Sequence, residues 1–243
     1  MVFDRVVSGV FGAAAWVRRG RVFHPVGMPL TGALHAVDAD YARLLGADDR
    51  PVLARLSKGV GLPGALPDVL GLALRVLDHR ERPWDLALAT TGSGPLGRLL
   101  VVPARDWGHA RYGSLMPYRF PGHEAEWILA QPLSKQPDTA SVDDLNTHLE
   151  HHRLDFALRA VPWRGPARTL AEFTLSKCEI GEHAGPGFYD PVTNRPEGVE
   201  LLPRQVAEIR ERAYAGSRHG RGEPDDIAAA GTPALQGTTT TEP

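Results

Sequence analysis

Residues 70–77 read Leu70-Gly71-Leu72-Ala73-Leu74-Arg75-Val76-Leu77. Gly71, Ala73 and Arg75 share one side and Leu70, Leu72, Leu74 and Val76 the other, which is the period of two expected of a buried strand. The preceding apolar stretch, 52–58 (VLARLSK), repeats the pattern: Leu53, Arg55 and Ser57 share one face, and Val52, Ala54 and Leu56 share the other. Residues 59–68 (GVGLPGALPD) between them are turn-rich. On the other side, Pro83-Trp84-Asp85 opens a further strand from Asp85 to Thr91 (DLALATT), and after SGPLG another apolar run covers Arg98 to Pro103.

Working outward, Gly32 to Val37 (GALHAV) has strand character, and Asp38 caps a short helix, DADYARLLG, stopped by Gly46. Ala104 to Tyr112 is expected to form a short helix. Ser114 to Phe120 and Glu126 to Gln131 pair as a hairpin across PGH. Ser141 starts a helix to about His152. Strands follow at Asp155 to Val161 and Thr169 to Glu179, the latter holding Cys178 as a buried strand residue. About eight strands with short or helical connections predict an α+β fold: an eight-stranded antiparallel β-barrel with peripheral helices. Residues 181–200 read as irregular. A last helix is expected over 203–215, because Leu202, Val206, Ile209 and Ala213 recur at helical spacing.

The 243 residues carry a net charge of −2 and one cysteine. That balance gives no electrostatic footprint for nucleic acid or an anionic membrane, and one thiol forms no internal disulfide. The apolar run 6–17 (VVSGVFGAAAWV) is about half as long as a bilayer span and is read as part of an N-terminal helix, residues 1–20. A cytoplasmic protein without a membrane span is the expectation. The tail, residues 222–243, has too little apolar surface to fold and is expected to be disordered.

Two places carry candidate chemistry. In Arg21-Val22-Phe23-His24-Pro25-Val26-Gly27, the imidazole of His24 can take or give a proton near neutral pH, and Pro25 disfavours helix before it. Gly27 and Gly32 mark tight backbone. In the last helix Arg210 and Tyr214 lie four residues apart, one turn from each other on one face. A guanidinium beside a phenol favours the phenolate, a hard ligand suited to ferric iron.

Several of these stretches, in this order, resemble one family. Arg21-Val-Phe-His24-Pro-Val-Gly27 with Gly32 is similar to the distal segment of haem catalases. Arg55-Leu-Ser57, Pro67-Asp68 to Arg75, and Trp84-Asp85-Leu86 resemble the strands that follow it, and Arg210-x-x-x-Tyr214 resembles the proximal motif. Tyr118-Arg119-Phe120 and the later strands look like the small catalase-related peroxidases and catalase-like domains. The resemblance covers about residues 16 to 221 and implies a catalase-like haem-binding barrel domain over 21–221, with the proximal helix near the C-terminus.

Carried over residue by residue, it implies that His24 is the distal acid/base, with Ser57 hydrogen-bonded to its second ring nitrogen. Arg21 and Arg55 would face the propionates of a b-type haem, and Tyr214 would ligate the iron, supported by Arg210. Gly71, Ala73, Ala87 and Ala89 are small residues on two successive strands, which let a flat macrocycle approach a sheet. The chain departs from the family at Ala89, where catalases carry a distal asparagine; Thr91 on the same face, or Thr90 beside it, offers a hydroxyl instead. The implied activity is a haem-dependent peroxidase reducing hydrogen peroxide or organic hydroperoxides, with weak true catalase activity and a small-molecule reductant. The chain lacks the C-terminal helices and long arm associated with tetramers, so a homo-oligomer is left open. Two other readings stand beside it: a non-catalytic catalase-fold binding protein with a degenerate haem site, and a metal-dependent hydrolase using His148, His151 and His152 at i, i+3 and i+4.

Overall fold

A computed structural model describes residues 26–178 and 189–202. The expected N-terminal helix, Arg21, His24, the 203–215 helix with Arg210 and Tyr214, and the tail lie outside the described residues.

Ten strands are described: β1 (Val26–Ala36), β2 (Asp49–Lys58), β3 (Leu70–Leu77), β4 (Pro83–Thr90), β5 (Tyr112–Gly113), β6 (Tyr118–Arg119), β7 (Ala125–Pro132), β8 (Leu154–Pro162), β9 (Arg168–Lys177) and β10 (Glu200–Leu201). Three short helices join them: α1 (Ala39–Leu45), α2 (Gly94–Gly97) and α3 (Val142–His148). Strands β1, β2, β3, β4, β5, β7, β8 and β9 close into an eight-stranded antiparallel barrel, the ring completed by β7 against β8 and β9 against β1. Followed around the ring through Lys58, Leu70, Thr90, Tyr112, Ala130, Leu158 and Ala171, the ladder that leaves β1 at Val26 returns to it at Ala36. That stagger is what closing a twisted sheet requires.

Alternation decides which side chains fill the barrel. Val52, Ala54 and Leu56 of β2, the even-numbered residues of β3, and Trp84, Leu86 and Leu88 of β4 are buried inside with Phe156 and Phe173, whose rings stack 5.0 Å apart. Their partners in alternation, among them Arg55, Ala73, Ala87 and Ala89, face outward. The barrel is therefore filled by aliphatic and aromatic groups.

β3 falls where its alternation predicts. β1 begins at Val26, directly after Pro25 and six residues before the expected start at Gly32. It accommodates Pro29 because β9 pairs only from Leu30 onward, so at Pro29 the strand has a hydrogen-bonding neighbour on one side. α1 keeps its expected caps: Asp38 accepts from the Tyr41 amide at 2.9 Å, and Gly46 closes it in the left-handed region at φ 73°. α3 starts at its expected cap, Ser141, but ends at His148 rather than His152.

Three expectations fail. Ala104 to Tyr112 forms no helix, because the Trp107 and Gly108 amides bond the Thr139 and Pro137 carbonyls and the Trp107 indole donates to the Ser141 carbonyl at 2.8 Å. The hairpin pairs Tyr118 with Glu126 as expected, but Ser114 to Phe120 is not one strand. It breaks at Leu115, whose φ of 53° lies in the left-handed region, and the Ser114 hydroxyl takes the Ile128 amide at 3.1 Å in place of a ladder carbonyl. Cys178 is half-buried and lies one residue beyond the end of β9, not in the strand.

Gly32 is needed where β1 meets β9. A Cβ there would stand 1.8 Å from the Thr174 carbonyl oxygen. The obstacle is backbone, so no rotamer change relieves it. Gly32→Ala is expected to lower stability by about 2–3 kcal/mol, read from the urea midpoint. A shift under about 0.5 kcal/mol would mean the two strands part freely there.

Candidate functional site on the outer barrel wall

On the outer face of the β1–β5 wall, the register lines small residues into a row. Gly27 pairs with Ser57, Ser57 with Gly71, Gly71 with Ala89, and Ala89 with Gly113, one from each of five consecutive strands. The next row on the same face is Pro29, Arg55, Ala73 and Ala87. At inter-strand spacings of about 4.8 Å, the first row spans roughly 19 Å. No side chain longer than serine rises from it. The face is therefore low over Ser57, Gly71 and Ala89, between Arg55 lying over Gly27 at one end and Thr91 over Gly113 at the other, and it grades from exposed Ala87 through half-buried Ala89 to buried Gly71 and Ser57.

Polar groups ring this face. Ser57 is buried, and its hydroxyl donates to the Gly71 carbonyl at 3.4 Å, a long bond that leaves the oxygen's acceptor side unused by it. Thr91 is also buried, packs over Gly113 (whose Cβ would meet Oγ1 at 2.7 Å), and its hydroxyl has no hydrogen-bond partner among the described residues. Thr90 is different. It points inward, where its hydroxyl donates to the Val102 carbonyl at 2.7 Å and accepts from the Leu70 amide. Of the two threonines named from the sequence, only Thr91 lies on the candidate face. Arg55 extends over β1, its guanidinium lying where a Cβ on Gly27 would be, 2.7 Å from Nε.

The third row, Thr31, Leu53, Arg75 and Asp85, closes the face with an ion pair. Arg75 donates to both Asp85 oxygens at 2.6 Å. Asp85 is fully buried and also accepts from the Asp190 amide and the Asn194 side-chain amide, each at 2.8 Å. The Asp85 amide in turn donates to the Asn194 carbonyl. This hub fixes residues 190–194 against β4 and sets the ring of Tyr189 5.7 Å from the Arg75 guanidinium. Burial, then Asp85, push the Tyr189 phenol well above its ordinary range, with Arg75 and Arg55 offsetting part of it, so this tyrosine keeps its proton. Burial works against the Arg75 cation, but the hydrogen bonds and charge of Asp85 outweigh it and hold the guanidinium charged.

The structure thus brings Ser57, Thr91, Arg55, Gly71 and Ala87 onto one outer face. Arg21, His24, Arg210 and Tyr214 lie outside the described residues. Asp85, Tyr189 and Asn194 were not singled out by sequence; the one available signal was a lone charge in each of two apolar strands, Arg75 in LGLALRVL and Asp85 in DLALATT.

The histidine cluster is less developed. The His148 and His152 rings lie 4.7 Å apart, and burial, then the neighbouring His152, hold His148 below the ordinary imidazole range. Among the described residues no group of three or more His, Cys, Asp or Glu is arranged to hold a metal ion. Nor, among them, is any helix long and apolar enough to cross a membrane. No protein-family model matches the chain, and no curated protein matches it.

Proposed function

We propose that this chain is a haem-dependent peroxidase of the catalase-like type, acting in the cytoplasm and reducing hydrogen peroxide or organic hydroperoxides with electrons from a small-molecule reductant. The observation that carries the reading is the low middle of the row, Ser57, Gly71 and Ala89, bounded by Arg55 over Gly27 and Thr91 over Gly113. A flat, largely apolar cofactor needs such a surface, because any larger side chain there would hold it off the sheet. The residues present fit that need. Arg55, reaching from the second row over Gly27, offers a cation for the cofactor's carboxylates, and the resemblance adds Arg21.

A haem bound there supplies a redox-active iron centre for peroxide chemistry. The chain's own groups do the rest. His24, neutral, would take the proton of the hydroperoxide and return it to the leaving oxygen, so that water or an alcohol departs rather than hydroxide or an alkoxide. Ser57 sets the tautomer of His24 through the second ring nitrogen. Tyr214 would hold the iron, and Arg210, four residues before it in the sequence, would favour its phenolate.

Ala89 supports a second reading. It provides no hydrogen-bond donor where the family carries an amide, which suits a binding protein that keeps the barrel without turnover. Losing one preorganised donor costs about a hundredfold or more in rate, so weak dismutation is expected even of the enzyme.

The visible spectrum of haem-supplied protein, before and after peroxide, is the test. A Soret band that changes with peroxide is expected. Tyr214→Phe should lose or alter haem ligation, whereas His24→Ala should keep haem and lose peroxide reactivity. Absence of the band would end the haem reading, and a band unmoved by peroxide would favour the binding protein.

A further inference from the structure

The loop between β2 and β3 has its polar and apolar parts inverted. Residues 60–67 (VGLPGALP) carry no charge, and Val60, Leu62 and Leu66 stand 54%, 40% and 52% exposed. Beneath them two ionisable side chains are buried. Asp68 accepts from the Val60 and Leu62 amides, each at 2.8 Å, and Lys58 donates to the Gly64 and Leu66 carbonyls at 2.9 and 3.2 Å. The Leu66 amide bonds the Pro63 carbonyl, and Pro63 and Pro67 have no amide hydrogen to satisfy. Charges that ordinarily face water are spent on holding a loop whose apolar side chains face out.

A second segment runs beside the loop's base. Asp68 bridges Ala104, and the Thr90 hydroxyl ties Leu70 to Val102. Leu96 and Leu100 ride on it, 62% and 54% exposed, and the only charged residue from 91 to 104 is Arg98, which is buried. Neither segment presents an exposed charge.

We propose that these two segments dock the protein on a lipid surface. Three observations favour lipid over a protein partner or a second copy. The Val60, Leu62 and Leu66 amides and the Gly64 and Leu66 carbonyls are already bonded from beneath or within the loop, and Pro63 and Pro67 offer no amide, which lowers the cost of placing this loop in an apolar medium. Five apolar side chains on two narrow segments fall short of the roughly 800 Å² per partner that a stable protein interface buries. The absence of exposed charge leaves nothing to pair with a polar rim and matches the acyl region beneath neutral headgroups. The proposal is independent of the haem reading, since vesicle binding needs no cofactor.

Flotation of the full-length protein with phosphatidylcholine vesicles tests it. Wild-type protein is expected to float, equally well when phosphatidylserine is added. Leu62→Asp/Leu66→Asp should reduce the bound fraction at least roughly tenfold, since two insertions of a leucine's apolar area are lost. Leu96→Asp on the second segment should reduce it as well. Val37→Asp, exposed at the opposite end of β1, should leave it unchanged. The loop side chains are solvent-exposed, so the melting temperatures of these variants should stay near wild type. Failure of the wild type to float, or an equal loss with Val37→Asp, overturns the proposal. So does a concentration-dependent dimer that Leu62→Asp/Leu66→Asp dissolves, which would make a second copy the occupant.

Discussion

Asp85→Ala is expected to remove about 3–5 kcal/mol of stability, the loss typical of breaking a buried ion pair from one side. Asp85 is fully buried, and its two oxygens take four hydrogen bonds: two from Arg75 and one each from Asp190 and Asn194. Truncation leaves the Asp190 amide, the Asn194 side chain and the charged Arg75 fork without the acceptor they share. The effect should also be local. Residues 189–194, held to β4 through this carboxylate, should lose amide-exchange protection before β2 and β3 do. Asp85→Asn should fall between, because the amide keeps one acceptor while turning a donor toward groups that are themselves donors. A urea midpoint shift worth less than about 1 kcal/mol for Asp85→Ala would show that the hub does not hold this side of the barrel.

The hub also marks where sequence reasoning stops. β3 was legible because residues 70–76 alternate without interruption and its start follows the turn-rich 59–68 stretch. The outer small face was legible for the same reason, since Gly71, Ala73, Ala87 and Ala89 follow from alternation once two strands are placed. Their assembly into a five-strand row was not. That depends on register with Gly27 and Gly113: VGMPLTG alternates, but its glycines and proline mark tight backbone and hide the strand, and β5 is two residues long.

The other misses share a cause. Trp107 looks like an ordinary helix residue until its amide and indole are bonded to the 139–141 segment, some thirty residues on. The Asp85 link to Asn194 spans 109 residues. Periodicity reports local faces, and it is silent about which distant polar group meets another. The antiparallel barrel was accessible because it is a sum of local alternations, while the polar ring around its outer face was not.

Ala89 is the position at which the proposed function is most exposed to test. It sits mid-row between Gly71 and Gly113, and its side chain points away from the barrel interior, which Leu88 and Thr90 fill from the same strand. Ala89→Trp should therefore spare the barrel interior while an indole covers the low face between Gly71 and Gly113. Haem affinity is expected to fall at least a hundredfold, about 2.7 kcal/mol, in a titration followed at the Soret band. Thr31→Trp, two rows away on the same wall, should bind as wild type does, which separates a blocked face from a general disturbance of the sheet. The converse substitution adds what the face lacks: Ala89→Asn places an amide donor in the row, and hydrogen peroxide turnover should rise by up to about a hundredfold, the scale on which a single preorganised donor acts. Full haem occupancy in Ala89→Trp would mean that the row is not the cofactor's surface, and the peroxidase reading would lose the observation on which it stands.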